Sequence, residues 1–364
     1  MGVERMAVIK DYLAWRGDLS FESSPFNEVD NYIVAKIGTP DLSGIVPEDA
    51  REIPLTLALD LYDAKFGRKG DYLGRLASSS IMPVIREAAK SVRFRDLKLS
   101  GFRHKYAVEE TEQFSALTVT LPDGRHYVSF RGTDDTLTAW KENMLMAVEE
   151  TVAAQKDALA YLNWAAEEYP GELLVGGHSK GGNLAVYASA MTSRETQERI
   201  SAVYSNDGPG FMPEFLRREG YVRIRPKIKL FLPQHSIVGT LLSQEENFEI
   251  VRSVKSGIAA HDGFNWAVLG PRFERCDKLS RGSRVFDDSI DAMVEKMTVD
   301  DRRAFIEDLF DVLGRSGAET VTDLTEQRLR STLKLAGSLR KAPEVRKFIT
   351  ALIEEMFRNR KGSK

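Results

Sequence analysis

A chain of 364 residues is too long for one small domain and fits one large domain or two. With 42% hydrophobic and 29% charged residues it has the composition of a folded globular protein, not of a disordered one. Lys plus Arg is 51 against 54 for Asp plus Glu, and this net −3 excludes a chain basic enough overall to hold nucleic acid by charge alone. A single cysteine, Cys276, excludes an internal disulfide and a cysteine-rich zinc site. The first residues lack the apolar core of a secretory signal, and no apolar run approaches the roughly 18 residues of a membrane span. The expected location is the cytoplasm.

Taken in chain order, the first hundred residues read mostly as helix. Phe26, Val29, Ile33 and Ile37 recur at three- and four-residue steps, and Pro40, Pro47 and Pro54 mark loops and helix starts. The stretch 114–121 is rich in strand formers, Pro122-Asp123-Gly124-Arg125 supplies a turn, and His126 resumes strand character: a hairpin. Thr136 to Tyr169 reads as one long helix ended by Pro170-Gly171. Beyond it, strands near 172–176, 202–205, 227–232 and 248–254 are set among helical segments, which implies a mainly parallel sheet covered on both faces. After Phe286 only helical patterns remain: Thr298 with Asp301 forms a cap before the stripe Phe305, Ile306, Leu309, Phe310 and Leu313, and a second stripe follows Pro343. The expected division is a catalytic body over 1–284, with a helical N-terminal region, and a helical C-terminal appendage over 285–364.

The chemistry lies in Leu173-Leu174-Val175-Gly176-Gly177-His178-Ser179-Lys180-Gly181-Gly182-Asn183. Here Gly177-x-Ser179-x-Gly181 stands between a predicted strand and a predicted helix. A nucleophile on so sharp a turn leaves no room for side chains two residues away, and the following helix aims its positive end at the serine. A phosphate-cradling loop would need Gly-Lys-Ser/Thr in that order, and here Lys180 follows the serine.

A serine needs a base and an acid to orient that base. Of the five histidines, His178 adjoins the nucleophile and suits packing, while His104 and His126 precede it. In a strand–serine–helix arrangement the base comes last in chain order, which leaves His261 and His235, with His261 favoured because it follows the last predicted strand. For the acid, Asp207 lies directly after the strand that follows the nucleophile's helix. The usual place is one strand later, where the chain reads Pro233-Gln234-His235-Ser236 with no carboxylate. Adjacent strand ends are only about 5 Å apart, so Asp207 can serve; Ser236 as a neutral acceptor is the alternative. Two amides should hold the oxyanion: that of Lys180, and one from Thr133 in the loop after an earlier strand.

Phe130-Arg131-Gly132-Thr133 followed by Gly177-His178-Ser179-x-Gly181-Gly182 resembles the class 3 (fungal-type) lipases. With Phe26-Asn27-Glu28-Val29-Asp30, Asp207-Gly208-Pro209-Gly210-Phe211, Ser236-Ile237-Val238-Gly239 and His261-Asp262, the set is similar to an uncharacterised bacterial family of lipase-like α/β-hydrolases, over roughly residues 1–290. The resemblance implies the α/β-hydrolase fold, Ser179 as nucleophile, His261 as base, and Thr133 with Lys180 at the oxyanion. It does not transfer the acid, because class 3 lipases carry Asp where this chain has Ser236. The expectation is a serine hydrolase of carboxylic esters with a small-molecule or lipid-like substrate, without metal or cofactor. The alternative is an inactive hydrolase fold that binds a partner through its C-terminal helices.

Phe211, Met212, Phe215 and Leu216 could form an apolar lid over an acyl pocket, or an ordinary surface helix. Finally, the near-neutral total hides two opposed runs. Residues 285–327 hold 12 acidic and 4 basic side chains, and residues 328–364 hold 3 acidic and 11 basic. These runs fold on each other, or the basic helix after Pro343 makes a weak contact with an anionic membrane surface.

Overall fold

The computed structural model describes residues 5–71, 73, 77–134, 136–242, 248–284, 297–314 and 319–320. The stripe after Pro343 and most of the two opposed charge runs lie outside these residues. In chain order the elements are α1 (Ile9–Arg16), α2 (Glu28–Ile37), β1 (Ile53–Pro54), α3 (Leu55–Phe66), α4 (Ile81–Lys90), β2 (Lys98–Ala107), β3 (Glu112–Thr120) and β4 (His126–Phe130). There follow α5 (Leu137–Leu145), α6 (Ala153–Glu168), β5 (Leu173–His178), α7 (Lys180–Met191), α8 (Arg194–Arg199), β6 (Ile200–Asn206), α9 (Pro213–Leu216), α10 (Glu219–Ile224), β7 (Ile228–Pro233) and β8 (Glu249–Val251). A two-strand ribbon, β9 (Val268–Leu269) with β10 (Arg272–Phe273), and α11 (Val299–Gly314) complete the described chain.

Eight strands form one sheet in sequential order, β1 to β8. The first four are antiparallel and β4 to β8 are parallel; hairpins join β2 to β3 and β3 to β4, and helical crossovers join β4 to β5, β5 to β6 and β6 to β7. This is an α/β-hydrolase fold. One face packs α1 to α4 through Tyr32, Ile33, Phe94 and Trp266. The other packs α6 and α7 through Tyr161, Leu162, Leu184 and Ala188. Each such large apolar side chain stabilises the fold by about 1.5–3 kcal/mol on burial.

Registers decide where the site can lie. Phe130 pairs with Gly177, His178 with Asn206, and Asn206 with Phe231, so β4 to β7 finish almost level. Every loop that leaves these strands therefore emerges at one rim.

The structure departs from the expectation in two places. The "mostly helical" first hundred residues also contain β1 and the start of β2. That strand was concealed because Gly101 takes φ +64° and the register slips between Ser100 and Arg103, which breaks the two-residue alternation. The single long helix over 136–169 is two helices. The connection at 146–152 keeps Met146, Val148 and Val152 buried, so the apolar periodicity runs on through the break. Gln155 Oε1 accepts from the Val152 amide at 3.1 Å and starts α6 afresh. Of the two readings for Phe211 to Leu216, the helix packed on the body is the one that forms: Phe211 and Phe215 are buried, their rings 4.3 Å apart, with Tyr187 stacked on Phe215 at 5.3 Å.

The cap at the C-terminal stripe forms as expected: the Asp301 amide donates to Thr298 Oγ1, and Asp301 Oδ2 accepts from the Thr298 amide. α11 lays Phe305, Ile306 and Leu309 against Val148, Met144 and Leu145, and Lys141 pairs with Glu307 at 2.7 Å.

Candidate active site

Ser179 stands between β5 and α7 at φ +57°, ψ −132°. An L-residue pays for that conformation, which is tolerated where the surroundings over-determine it. Here a Cβ on Gly181 would overlap the Phe130 carbonyl oxygen, and one on Gly177 would overlap the Gly181 backbone. The two glycines thus let the elbow close against β4. The Ser179 amide donates to Asn206 O at 2.9 Å, and Gly182 N donates to Ser179 O at 2.8 Å as α7 begins. Ser179 is partly exposed at the positive end of that helix.

His261 closes a short 3-10 turn after β8 and keeps 20% of its side chain exposed. Its Nδ1 lies 2.6 Å from Asp207 Oδ2. Since a carboxylate only accepts, Nδ1 carries a proton, and in the neutral ring Nε2 is the nitrogen with a lone pair. Asp207 is fully buried at the end of β6, at φ +51°. Its other oxygen, Oδ1, accepts from Ser236 Oγ at 2.6 Å and from the Gly239 amide at 3.1 Å. Ser236 therefore stands behind the carboxylate, not beside the histidine. His235 faces elsewhere, its Nε2 2.9 Å from Gln234 Nε2.

The Arg131–Thr133 loop packs directly on the elbow. A Cβ on Gly132 would lie 2.6 Å from His178 O and 3.4 Å from Ser179 Cβ. Asn143 Nδ2 donates to Thr133 Oγ1 at 2.6 Å. Next to it in α5, Glu142 pairs with the fully buried Lys180 ammonium at 2.9 Å, and Lys180 Nζ also donates to Gln113 O. Burial lowers the Lys180 pKa, with Glu142 opposing the shift. Two successive residues of one helix thus tie down both Thr133 and Lys180.

The sequence pattern does not point to these two, and although its apolar stripe marks α2 as a helix, nothing in it ties that helix to the site. Asn31 Nδ2 donates to Asn206 Oδ1 at 2.9 Å, and Asn206 Nδ2 donates to Gly177 O at 2.9 Å. Tyr32 OH accepts from the Gly263 amide in the histidine loop, and Lys36 Nζ lies beside His178. The available signal was polarity out of place: Lys36 sits one turn after Tyr32 and Ile33, on an apolar stripe. By contrast, the Asn27–Asp30 motif is structural. Asn27 caps α2, and the fully buried Asp30 pairs with an equally buried Arg93 while accepting from Tyr12 OH at 2.7 Å.

A cavity of about 330 Å³ lies one helical turn along α7 from Ser179, at Asn183, with Met146, Val148, Phe211, Met212 and Phe215 on its apolar side and Glu149, Gln155 and Glu214 on its polar side. Arg218 pairs with Glu150 at its rim. Among the described residues no cluster of His, Cys, Asp or Glu could hold a metal, and no helix is long and apolar enough to cross a membrane.

A family model described as Mbeg1-like matches residues 88–311, more than half of the chain. The chain belongs to that family. The Mbeg1-like family is lipase-like, which agrees with a hydrolase fold carrying a serine elbow. The match takes in Ser179, Asp207 and His261, whereas α2, with Tyr32 and Lys36, lies before its start. Among solved structures, that of M37 lipase is similar with 13% identity and a TM-score of 0.36, covering 57% of this chain and 67% of that one. No curated protein matches the sequence.

Proposed function

We propose that this member of the Mbeg1-like family is a serine hydrolase of carboxylic esters. The observation that carries the reading is the 2.6 Å bond from His261 Nδ1 to a buried Asp207, at the same strand rim as a serine held at positive φ between two close-packed glycines.

In this reading Ser179 Oγ attacks the ester carbonyl while its proton passes to His261 Nε2. The C–O bond to the alcohol breaks as that proton moves to the leaving oxygen. Water then repeats the sequence, and the acid is released. Asp207 keeps the proton on Nδ1 and stabilises the imidazolium formed in each half. The amides of Thr133 and Lys180 take the oxyanion, each worth about 3–4 kcal/mol in the transition state. The apolar walls of the cavity beside Asn183 favour an ester with an acyl chain over acetate.

A panel of p-nitrophenyl esters from two to eight acyl carbons tests this. Wild type should turn over the series with kcat/KM rising along it, and Ser179→Ala should fall to background. Equal rates for the two proteins would remove the serine mechanism, and a flat series would remove the acyl cavity.

A further inference from the structure

Lys36 and His178 form a buried pair that the reaction itself leaves unused. Lys36 Nζ lies 2.8 Å from His178 Nδ1, and His178 Nε2 lies 2.7 Å from the backbone oxygen of His261. The ammonium can only donate and the carbonyl can only accept. Both bonds form together in one protonation state of His178: neutral, with its proton on Nε2. The rings of His178 and His261 lie 4.4 Å apart, so the imidazole next to the nucleophile carries the histidine loop. Two residues further along, the Gly263 amide donates to Tyr32 OH at 2.8 Å.

We propose that Tyr32 and Lys36, one turn apart on α2, are positioning residues for His261: Tyr32 grips the loop at the Gly263 amide, and Lys36 selects the His178 tautomer that grips it at the His261 carbonyl. The inference rests on the serine-hydrolase reading and extends it to a helix outside the matched segment of the family.

The device responds to pH in a defined direction. Burial lowers Lys36 to about 8, with Asp262 opposing and Arg131 reinforcing the shift. The Tyr32 ring lies 5.2 Å from the Lys36 nitrogen. Burial first, then the nearby Lys36 ammonium and His261 ring, push His178 well below the ordinary imidazole range against the pull of its bond to the His261 backbone, so it stays neutral. Below pH 8 Lys36 is an obligate donor. As pH rises through 8 the neutral amine can accept as well as donate, so only the His261 carbonyl still favours the proton on Nε2 and the Nδ1–H tautomer of His178 becomes accessible. Its Nε2 lone pair would then face the His261 carbonyl oxygen, and that grip on the loop is lost.

Two readouts test the proposal. In wild type, ¹⁵N NMR of the histidines needs no substrate: His178 should carry its proton on Nε2 near neutral pH and begin to exchange tautomers above about pH 8. A proton on Nδ1 near neutrality overturns the proposal, whatever any variant does. In kinetics, wild-type kcat should fall as pH rises through about 8. Lys36→Met should lower kcat by about tenfold with KM within about twofold, and should lack that fall. Lys36→Arg, which keeps its charge, should retain most of the rate and move the fall to higher pH. A Lys36→Met profile that superimposes on the wild type also overturns it. Absence of Ser179-dependent turnover in the wild type overturns the hydrolase reading instead, and the tautomer measurement separates the two failures.

Discussion

The serine elbow and the histidine–aspartate pair meet at one rim of the sheet, yet they are built on different principles. The elbow is local. Residues 177–181 contain Ser179, the two glycines that admit its backbone, and the first residue of the helix that faces it. The pair is assembled from residues 54 positions apart and is held through Ser236 and Gly239, through His178, and through Tyr32 and Lys36, three further places in the chain. A local device is specified by close-packed backbone and fails when a Cβ is added. A distributed one is specified by hydrogen bonds and should fail by degrees as they are removed.

Among changes to the histidine–aspartate pair, the largest effect should come from Asp207→Asn. It preserves shape but allows the amide to donate towards His261, which favours the wrong tautomer. Turnover should fall by about 10³–10⁴-fold with folding intact. A loss of under tenfold would show that the pair does not act as one unit with the elbow. A smaller effect should follow Ser236→Ala. This removes one charge-assisted bond to Oδ1, while the Gly239 amide still covers the same oxygen. Net values for such bonds are about 1.5–3 kcal/mol, and the retained amide should hold the loss in kcat to about tenfold or less. If Ser236→Ala matched Asp207→Asn, the strand end of β7 would carry the acid function as much as that of β6.

The same contrast explains what could be read in the sequence. The hairpin over 112–130 and the strand–serine–helix segment are short-range patterns with turn residues of defined geometry, and both form where the pattern puts them. Asp207 was reachable because neighbouring parallel strands end level, so a carboxylate one strand early still meets His261. β2 escaped because one glycine at positive φ erased its alternation. The break between α5 and α6 escaped because a buried connection keeps an apolar rhythm. Glu142, Asn143, Tyr32 and Lys36 act only through tertiary contact, and α2 precedes His261 by more than 220 residues. Only the charge on an apolar stripe marked it.

The central claim is that Ser179 is a nucleophile activated by the assembled pair. It is tested most directly by treating the protein with a fluorophosphonate and locating the adduct by mass spectrometry. The account predicts one modified serine, Ser179, with labelling abolished in Ser179→Ala and strongly slowed in Asp207→Asn. An adduct elsewhere, or labelling of Ser179 at the same rate in Asp207→Asn and wild type, would contradict it.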